Sequence, residues 1–351
     1  VTAADTSHAA DTGQGPDALD RRIIAALQID GRASWRRIAA ALGEPERTVA
    51  RRGLHLLDSG QVTVTGLVAR GETAIVRLGC PPGTARDAAL AMARRADTIF
   101  SYVLSGSPDC VAEVQCPPGR LAALMLDEAP PVPGLLAQHV SPVLRYFRTV
   151  HDWHPGILGE AEVAALSRFP VRPGGAGAPA RFQDGGPARP EAAGGPAEEL
   201  GPEERRIVEA LAEDGRRTHE ELAALAGVSE ATARRRVEAL TRTGAVSIRA
   251  AVEPALLGLP VEALLWIRTR PDAVEAVGRL LTESPLVRYA AVVMGEHQLL
   301  VDVTQPSMTA LHAFLTEEPW VRHVEAVSSH LVVAAMKRSA TPTPLMRSLG
   351  A

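Results

Sequence analysis

This 351-residue chain contains one unit written twice. Arg21-Arg22-Ile23 recurs as Arg205-Arg206-Ile207, and Asp30-Gly31-Arg32 as Asp214-Gly215-Arg216. Gly43, Thr48, Arg51-Arg52, Leu56, Gly60 and Val62 recur as Gly227, Thr232, Arg235-Arg236, Leu240, Gly244 and Val246. The offset is 184 without a gap from Arg21 to Val68, with about 19 identical positions. It then becomes 189: Pro82 falls on Pro271, Gly106 on Gly295, Val114 on Val303 and Pro117 on Pro306. The first copy therefore lacks five residues present in Glu253–Pro260. Two units of about 135 residues must each bury a core, and equivalent surfaces are available to pair with one another.

The first half of each unit reads as three helices. In the second copy Ile207, Val208 and Leu211 recur at helical spacing over Glu203–Asp214. Thr218 and Glu221 form a capping box that opens a helix ending at Gly227, and Ser229 caps a third helix that Gly244 stops. Two helices joined by the short turn Gly227-Val228-Ser229 have helix-turn-helix proportions. Ala231, Thr232 and Arg235 lie off the apolar stripe of the third helix, flanked by Arg234, Arg236 and Arg242. Base edges and phosphates are the partners such a helix fits. The first copy departs from this: Pro45 replaces the Ser cap, and Gly53 replaces Val237 in the stripe, which predicts a packing deficit. It is nonetheless more basic, with eight Arg against five acids over Leu19–Val68, compared with nine of each over Glu203–Val252. The expected DNA contacts are Arg47, Thr48, Arg51 and Arg52 in the first copy, and Ser229, Ala231, Thr232, Arg234, Arg235 and Arg236 in the second.

The second half alternates strands and helices. The second copy reads strand Val261–Arg268, helix Asp272–Thr282, strand Val287–Met294, strand Gln298–Val303, helix Ser307–Thr316 and strand Val321–Ala335. The first reads Thr73–Leu78, Thr84–Ala96, Thr98–Ser105, Asp109–Gln115, Leu121–Asp127 and Leu135–Arg148. This is a ferredoxin-like βαββαβ order, with helices on one face of a four-stranded sheet. The open face of each sheet predicts sheet-to-sheet pairing between units. The fold class is therefore α+β, with two copies of a winged or three-helix helix-turn-helix domain followed by a ferredoxin-like domain. The boundaries read as a disordered arm over 1–17, helix-turn-helix domains over 18–68 and 200–252, ferredoxin-like domains over 69–153 and 253–338, and a tail over 339–351. A flexible Pro/Gly-rich linker fills 154–199; at roughly 5–6 Å × √n it spans about 35–40 Å, enough for the second sheet to fold back onto the first.

Little else in the sequence signals chemistry. Net charge is −4, so any polyanion binding rests on local patches. Three cysteines without a CxxC argue against a disulfide framework, and Cys110 and Cys116 share one strand face as core thiols. His151-Asp152-Trp153-His154 offers two metal ligands without a third. No GxSxG, P-loop or dinucleotide fingerprint is present, so no catalytic residue, metal or cofactor is expected. The first twenty residues carry neither a basic n-region nor an apolar h-region, and no apolar run is long enough to span a membrane; a cytoplasmic location and no membrane partner are the expectation.

A helix-turn-helix followed at once by βαββαβ resembles the Lrp/AsnC family, the leucine-responsive feast/famine regulators of bacteria and archaea. The residues that carry the resemblance are Asp30-Gly31-Arg32, Leu222-Ala223, Ala226-Gly227-Val228-Ser229, Arg236-Val237, Leu240, Gly244-Ala245-Val246 and the turns Gly106-Ser107-Pro108-Asp109 and Gly295-Glu296-His297-Gln298. The resemblance implies a sequence-specific transcriptional regulator that binds double-stranded DNA and self-associates through the sheets of its effector (RAM-type) domains, within one chain as a pseudo-dimer or between chains. It also implies a small-molecule effector, commonly an amino acid, near the turns; Gly106, Pro108, Asp109, Gly295, His297 and Gln298 are the positions it points to. Siroheme decarboxylases share this two-part architecture, but in place of their His-Asn-Tyr segment this chain has Val287-Arg288-Tyr289-Ala290. An effector sensor with a vestigial helix-turn-helix is a third reading, motivated by Pro45 and Gly53.

Overall fold

The structure, a computed structural model, describes residues 15–68, 71–128, 134–167 and 200–350. In chain order the first copy gives α1 (Ala18–Ile29), α2 (Trp35–Leu42), α3 (Glu46–Asp58), β1 (Val62–Val68), β2 (Thr73–Gly79), α4 (Ala85–Arg94), β3 (Thr98–Leu104), β4 (Cys110–Gln115), α5 (Leu121–Leu126), β5 (Ala137–Arg148) and α6 (Glu160–Leu166). The second gives α7 (Pro202–Glu213), α8 (His219–Ala226), α9 (Glu230–Arg242), β6 (Val246–Val252), β7 (Val261–Arg268), α10 (Val274–Glu283), β8 (Val287–Val293), β9 (Leu299–Gln305), α11 (Met308–Thr316), β10 (Ala326–Arg338), β11 (Thr341–Pro342) and α12 (Pro344–Ser348). The five residues missing from the first copy correspond to a 3-10 segment, Pro254–Leu257, between β6 and β7.

The two helical heads are joined to each other. β1 pairs antiparallel with β6, and the register centres on Thr65 opposite Arg249, which are equivalent residues of the two copies. The pair therefore lies on a pseudo-twofold axis, and a wing belonging to each head alone is not what forms. The repeated Asp-Gly-Arg motif explains the close approach. The Gly31 amide donates to the Ile248 carbonyl at 2.9 Å, and the Gly215 amide to the Val64 carbonyl at 2.8 Å. A Cβ on Gly31 would lie 2.7 Å from Val64, and one on Gly215 2.8 Å from Ile248, so neither position accommodates a side chain. Arg32 then donates to the carbonyls of Gly215 and Arg217, and Arg216 to that of Gly31 while stacking on Trp35.

The remaining strands close into one eight-stranded barrel, in the order β10-β3-β4-β2-β5-β8-β9-β7 and back to β10, with β11 appended. The expectation of two sheets meeting face to face is corrected in this respect: their inner faces do meet, but their edges are also hydrogen-bonded. Two long strands make the closure. β5 pairs with β2 through Ala137–Pro142 and then with β8 through Val143–Arg148. β10 pairs with β7 through Ala326–Leu331 and then with β3 through Val332–Lys337. Each crosses from its own sheet to the other at a register shift that leaves an apolar residue in solvent, Leu144 and Val333, equivalent positions again. The side chains cross as well. Phe147 of the first copy covers Gly278 of α10, where a Cβ would fall 2.2 Å from the ring, and Met336 of the second joins the core under α4.

The barrel interior combines Ile75, Phe100, Tyr102, Leu264, Trp266, Tyr289 and Leu300 with two buried polar networks. Tyr146 and Tyr289 both donate to Glu113. Arg338 and Arg288 both pair with Glu262. Burial pushes Glu262 upward, but the Arg338 and Arg288 guanidinium charges overcome it and hold its carboxyl below the usual range. Asp302 is driven the other way, by burial first and the neighbouring Glu262 charge second.

Four boundaries differ from expectation. Residues 154–167 are not linker: α6 packs on the first head, with Leu166 fully buried, Glu162 bonded to Arg22 at 2.6 Å and the Ala165 and Ser167 carbonyls taken by Arg37. The expected linker from 168 to 199 lies outside the described residues, as does the expected arm up to residue 14. Asp17, placed in that arm, instead caps α1 in a reciprocal box with Asp20. The tail is structured too, since Thr343 caps α12 and buries Met346 against the first copy's helical layer. The last long strand begins at Ala326 because Pro319–His323 coils into a 3-10 turn with Trp320 buried.

Candidate nucleic-acid interface and ligand-facing turns

The third helix of each head follows a tight glycine turn but is capped differently. In the second head the Ser229 hydroxyl accepts from the Thr232 amide, as the Ser-first sequence predicts, and also bonds the Thr232 hydroxyl at 2.9 Å. In the first head Pro45 occupies the cap position and gives no side-chain cap. The positive-φ residues Gly43 and Gly227, at 68° and 72°, make the tight turn before each third helix.

The expected DNA contacts divide into two groups. Arg47, Arg51, Ala231, Arg234 and Arg235 are exposed, and Thr48 and Thr232 are half-buried at the start of their helices. Arg234 lies along its own helix, paired with Glu230 at 2.9 Å. Arg52 and Arg236 turn the other way. Arg52 bonds Asp17 at 2.6 Å and Asp20 at 3.0 Å, and Arg236 bonds Glu203 at 2.6 Å, with side chains only 27% and 25% exposed. Both reach the first turn of the first helix in their own head. Each ion pair pins the third helix to the first, whereas Arg47, Arg51 and Arg235 stay exposed. The packing deficit expected at Gly53 is absent. The Trp35 ring occupies that space, and a Cβ on Gly53 would lie 2.3 Å from it. The second head has His219 and Val237 at the two equivalent positions.

The turns expected to hold an effector use part of their chemistry internally. Asp109 accepts from the Cys80 amide at 2.9 Å, and Gln298, its equivalent, accepts from the Thr269 amide at 3.0 Å. An acid and an amide thus do the same structural task, which removes the charge of Asp109 as a requirement of the fold. Gly106 packs against His330, where a Cβ would fall 2.8 Å from Nδ1, and Gly295 faces Ser141, so each turn rests on the crossing strand of the other copy. Pro108 and His297 are half-buried at equivalent positions. His297 leans on Trp266, with ring centroids 6.4 Å apart, and burial lowers its imidazole below the usual range.

The His151-Asp152-Trp153-His154 segment has a structural task. The carbonyls of His151 and Trp153 accept from the fully buried Arg249 of β6, and the Trp153 indole donates to the Pro285 carbonyl at 2.9 Å. Residues 151–154 are the joint between barrel and heads. Among the described residues no group of three His, Cys, Asp or Glu side chains could hold a metal, and no helix is long and apolar enough to cross a membrane. All three cysteines are free and buried.

Comparison with known proteins agrees with this architecture. The AsnC-type helix-turn-helix domain matches twice, over residues 17–56 and 204–241, and the Lrp/AsnC ligand binding domain matches over 262–342. An uncharacterized HTH-type transcriptional regulator of Pyrococcus furiosus is 31% identical over 116 residues, which cover 33% of this chain and 78% of that protein. The chain belongs to the Lrp/AsnC family. Within it, the leucine-responsive regulatory protein of Rhizobium meliloti is 29% identical over 144 residues, 40% of this chain and 92% of that one. Among solved structures, the siroheme decarboxylase NirDL superposes with a TM-score of 0.55 over 95% of this chain and 100% of its own, at 14% identity. That likeness is one of fold. The Lrp/AsnC relatives each account for well under half of this chain, as two copies in one polypeptide require.

Proposed function

We propose that this Lrp/AsnC regulator binds double-stranded DNA through two unlike reading heads carried on one polypeptide, each followed by a ferredoxin-like effector domain, and that it acts as a binder and not as a catalyst. The observation that carries the reading is the division of labour among the arginines. Arg52 and Arg236 are consumed in holding the third helices, while Arg47, Arg51 and Arg235 project outward from helices that the β1–β6 pair sets about one pseudo-twofold axis. Two heads so related meet duplex half-sites separated by about one helical turn or a multiple of it. Because the heads differ in sequence, the preferred site is an imperfect palindrome. Thr232 and Arg235 read bases in the second half-site; Arg51 and Arg47 act chiefly on phosphates in the first. A small effector, an amino acid in keeping with the family, acts through the barrel on which the heads are mounted.

Selection of bound fragments from random duplex DNA tests this. The expected result is a bipartite motif with unlike halves. Enrichment of a single half-site removes the first head from sequence reading, and no enrichment at low salt removes DNA binding altogether.

A further inference from the structure

One position of the repeat carries an unusual residue in both heads. On α3 the buried residues Val49, Gly53 and Leu56 mark the inner face. Leu54 lies on the opposite side, 47% exposed and one turn beyond Arg51. Its equivalent at the offset of 184 is Glu238, exposed as well and one turn beyond Arg235 on α9. Glu238 takes no part in the ion pairs of its helix: Arg234 bonds Glu230 and Arg236 bonds Glu203. One exposed leucine is ordinary on a protein surface. Here it stands in the row that turns Arg47 and Arg51 outward, and a carboxylate stands in the matching row of the other head. Toward phosphates alone, a leucine adds nothing and a carboxylate is repelled. Toward base edges, each has a partner. Both sit about 4.5 Å further along the helix axis than the neighbouring arginine, little more than one base step of about 3.4 Å.

We propose that this position sets the difference between the two half-sites: Leu54 packs on the C5-methyl group of a thymine, and Glu238 accepts a hydrogen bond from the N4 amino group of a cytosine. The proposal rests on the DNA-binding reading and deepens it by assigning bases. In the major groove thymine is the base that presents a methyl group. Cytosine presents a donor with no acceptor on the same base edge, whereas the N6 donor of adenine sits beside the N7 acceptor, which repels a carboxylate. Glu238 and Arg235 line one shallow depression on α9 together with Ala231, so an acceptor and a guanidinium donor face the groove side by side. Guanine–cytosine pairs offer the complement, the N4 donor of one base and the O6 and N7 acceptors of the other. The first head has no such acid–arginine combination at this place, since Leu54 follows Arg51 there. Leu54 thus gives that head a base contact that its phosphate-binding arginines do not supply.

The experiment uses the full chain and the duplex enriched from the random pool, with deoxyuridine replacing thymidine in one half-site at a time. This removes methyl groups and keeps every hydrogen-bonding edge. Affinity is read by fluorescence anisotropy at one salt concentration. The expected result is about fourfold weaker binding when one half is substituted, the worth of one buried methyl group, and no change for the other. Leu54→Ala should weaken binding to the thymine duplex by about the same factor and should bind the thymine and uracil forms alike. Glu238→Leu should do the reverse in the second half-site: repeated selection should turn one cytosine into thymine, and that half should become sensitive to uracil. Both side chains are exposed, so both variants should melt with the wild type. The proposal is overturned by an enriched motif without thymine, by unchanged affinity with uracil in either half, by methyl sensitivity that survives Leu54→Ala, or by an unchanged motif for Glu238→Leu. In each of those cases DNA binding by the two heads still stands. A wild-type chain that binds no duplex removes that reading, and this proposal with it.

Discussion

The two heads solve one packing problem with different atoms. Both pin the third helix to the first through an arginine and an acid, Arg52 with Asp17 and Asp20, Arg236 with Glu203. Where the second head has Val237 in its apolar stripe, the first has Gly53, filled by Trp35 from the neighbouring helix. Where the second is capped by Ser229, the first has Pro45 and no cap bond. Side-chain volume has moved between partners while the arrangement stayed fixed. A substitution that looks like damage in one column of a repeat is half of an exchange between two columns.

The sharpest way to break that comparison is to restore one column alone. Gly53→Val places atoms inside the Trp35 ring and should destabilise the protein by about 3 kcal/mol in denaturant unfolding. Adding Trp35→His, which recreates the pair of the second head, should recover most of the loss; no recovery would mean that the exchange is not pairwise. The outward arginines come next. Arg235→Ala should weaken specific DNA binding by about 1–3 kcal/mol, with less effect on non-specific DNA, if Arg235 reads a base. Arg236→Ala should instead lower stability and weaken all sequences alike.

The heads also differ where they meet the barrel. Arg249 of the second head reaches the 151–154 joint, whereas its equivalent Thr65 bonds the Ala212 carbonyl at 2.7 Å. Beside Arg249, Asp152 is pushed up to about 6, by burial above all, against the opposing hydrogen bond from Thr149 and the charge of Arg249. A folded-state value above the unfolded one means that the fold favours the protonated acid. That contribution is complete below about pH 4 and is lost as the pH rises through 6. Asp152→Asn should therefore stabilise the chain at pH 7 by roughly 2 kcal/mol, and the gain should vanish near pH 4 in melting curves taken across that range. The smallest effects test the caps. Ser229→Ala should cost about 1 kcal/mol, and Pro45→Ser should add a few tenths to the first head, read as changes in unfolding midpoint.

The duplication, the helix-turn-helix and the strand and helix order were legible because they rest on local signals: identical residues at a fixed offset, capping pairs, alternation. What escaped depended on residues brought together from far apart. Gly53 was read without Trp35, eighteen positions away. The Glu160–Leu166 helix was lost among prolines and glycines because its two anchoring residues, Val163 and Leu166, make too short a stripe to stand out. Arg52 and Arg236 are expected to contact DNA from the sequence, and only the placement of Asp17 and Glu203 shows that each of them pairs with an acid of its own head. Barrel closure depends on two bulges at Leu144 and Val333, where a period-2 pattern only appears to continue.

The two long strands that start in one sheet and finish in the other have a consequence for how this molecule comes apart. Hydrolysing the backbone between residues 167 and 200 would yield two fragments on a denaturing gel, yet their strands are laced into one barrel and their heads share a ribbon. The nicked species should still elute as a single particle, and neither fragment should survive dilution without its mate.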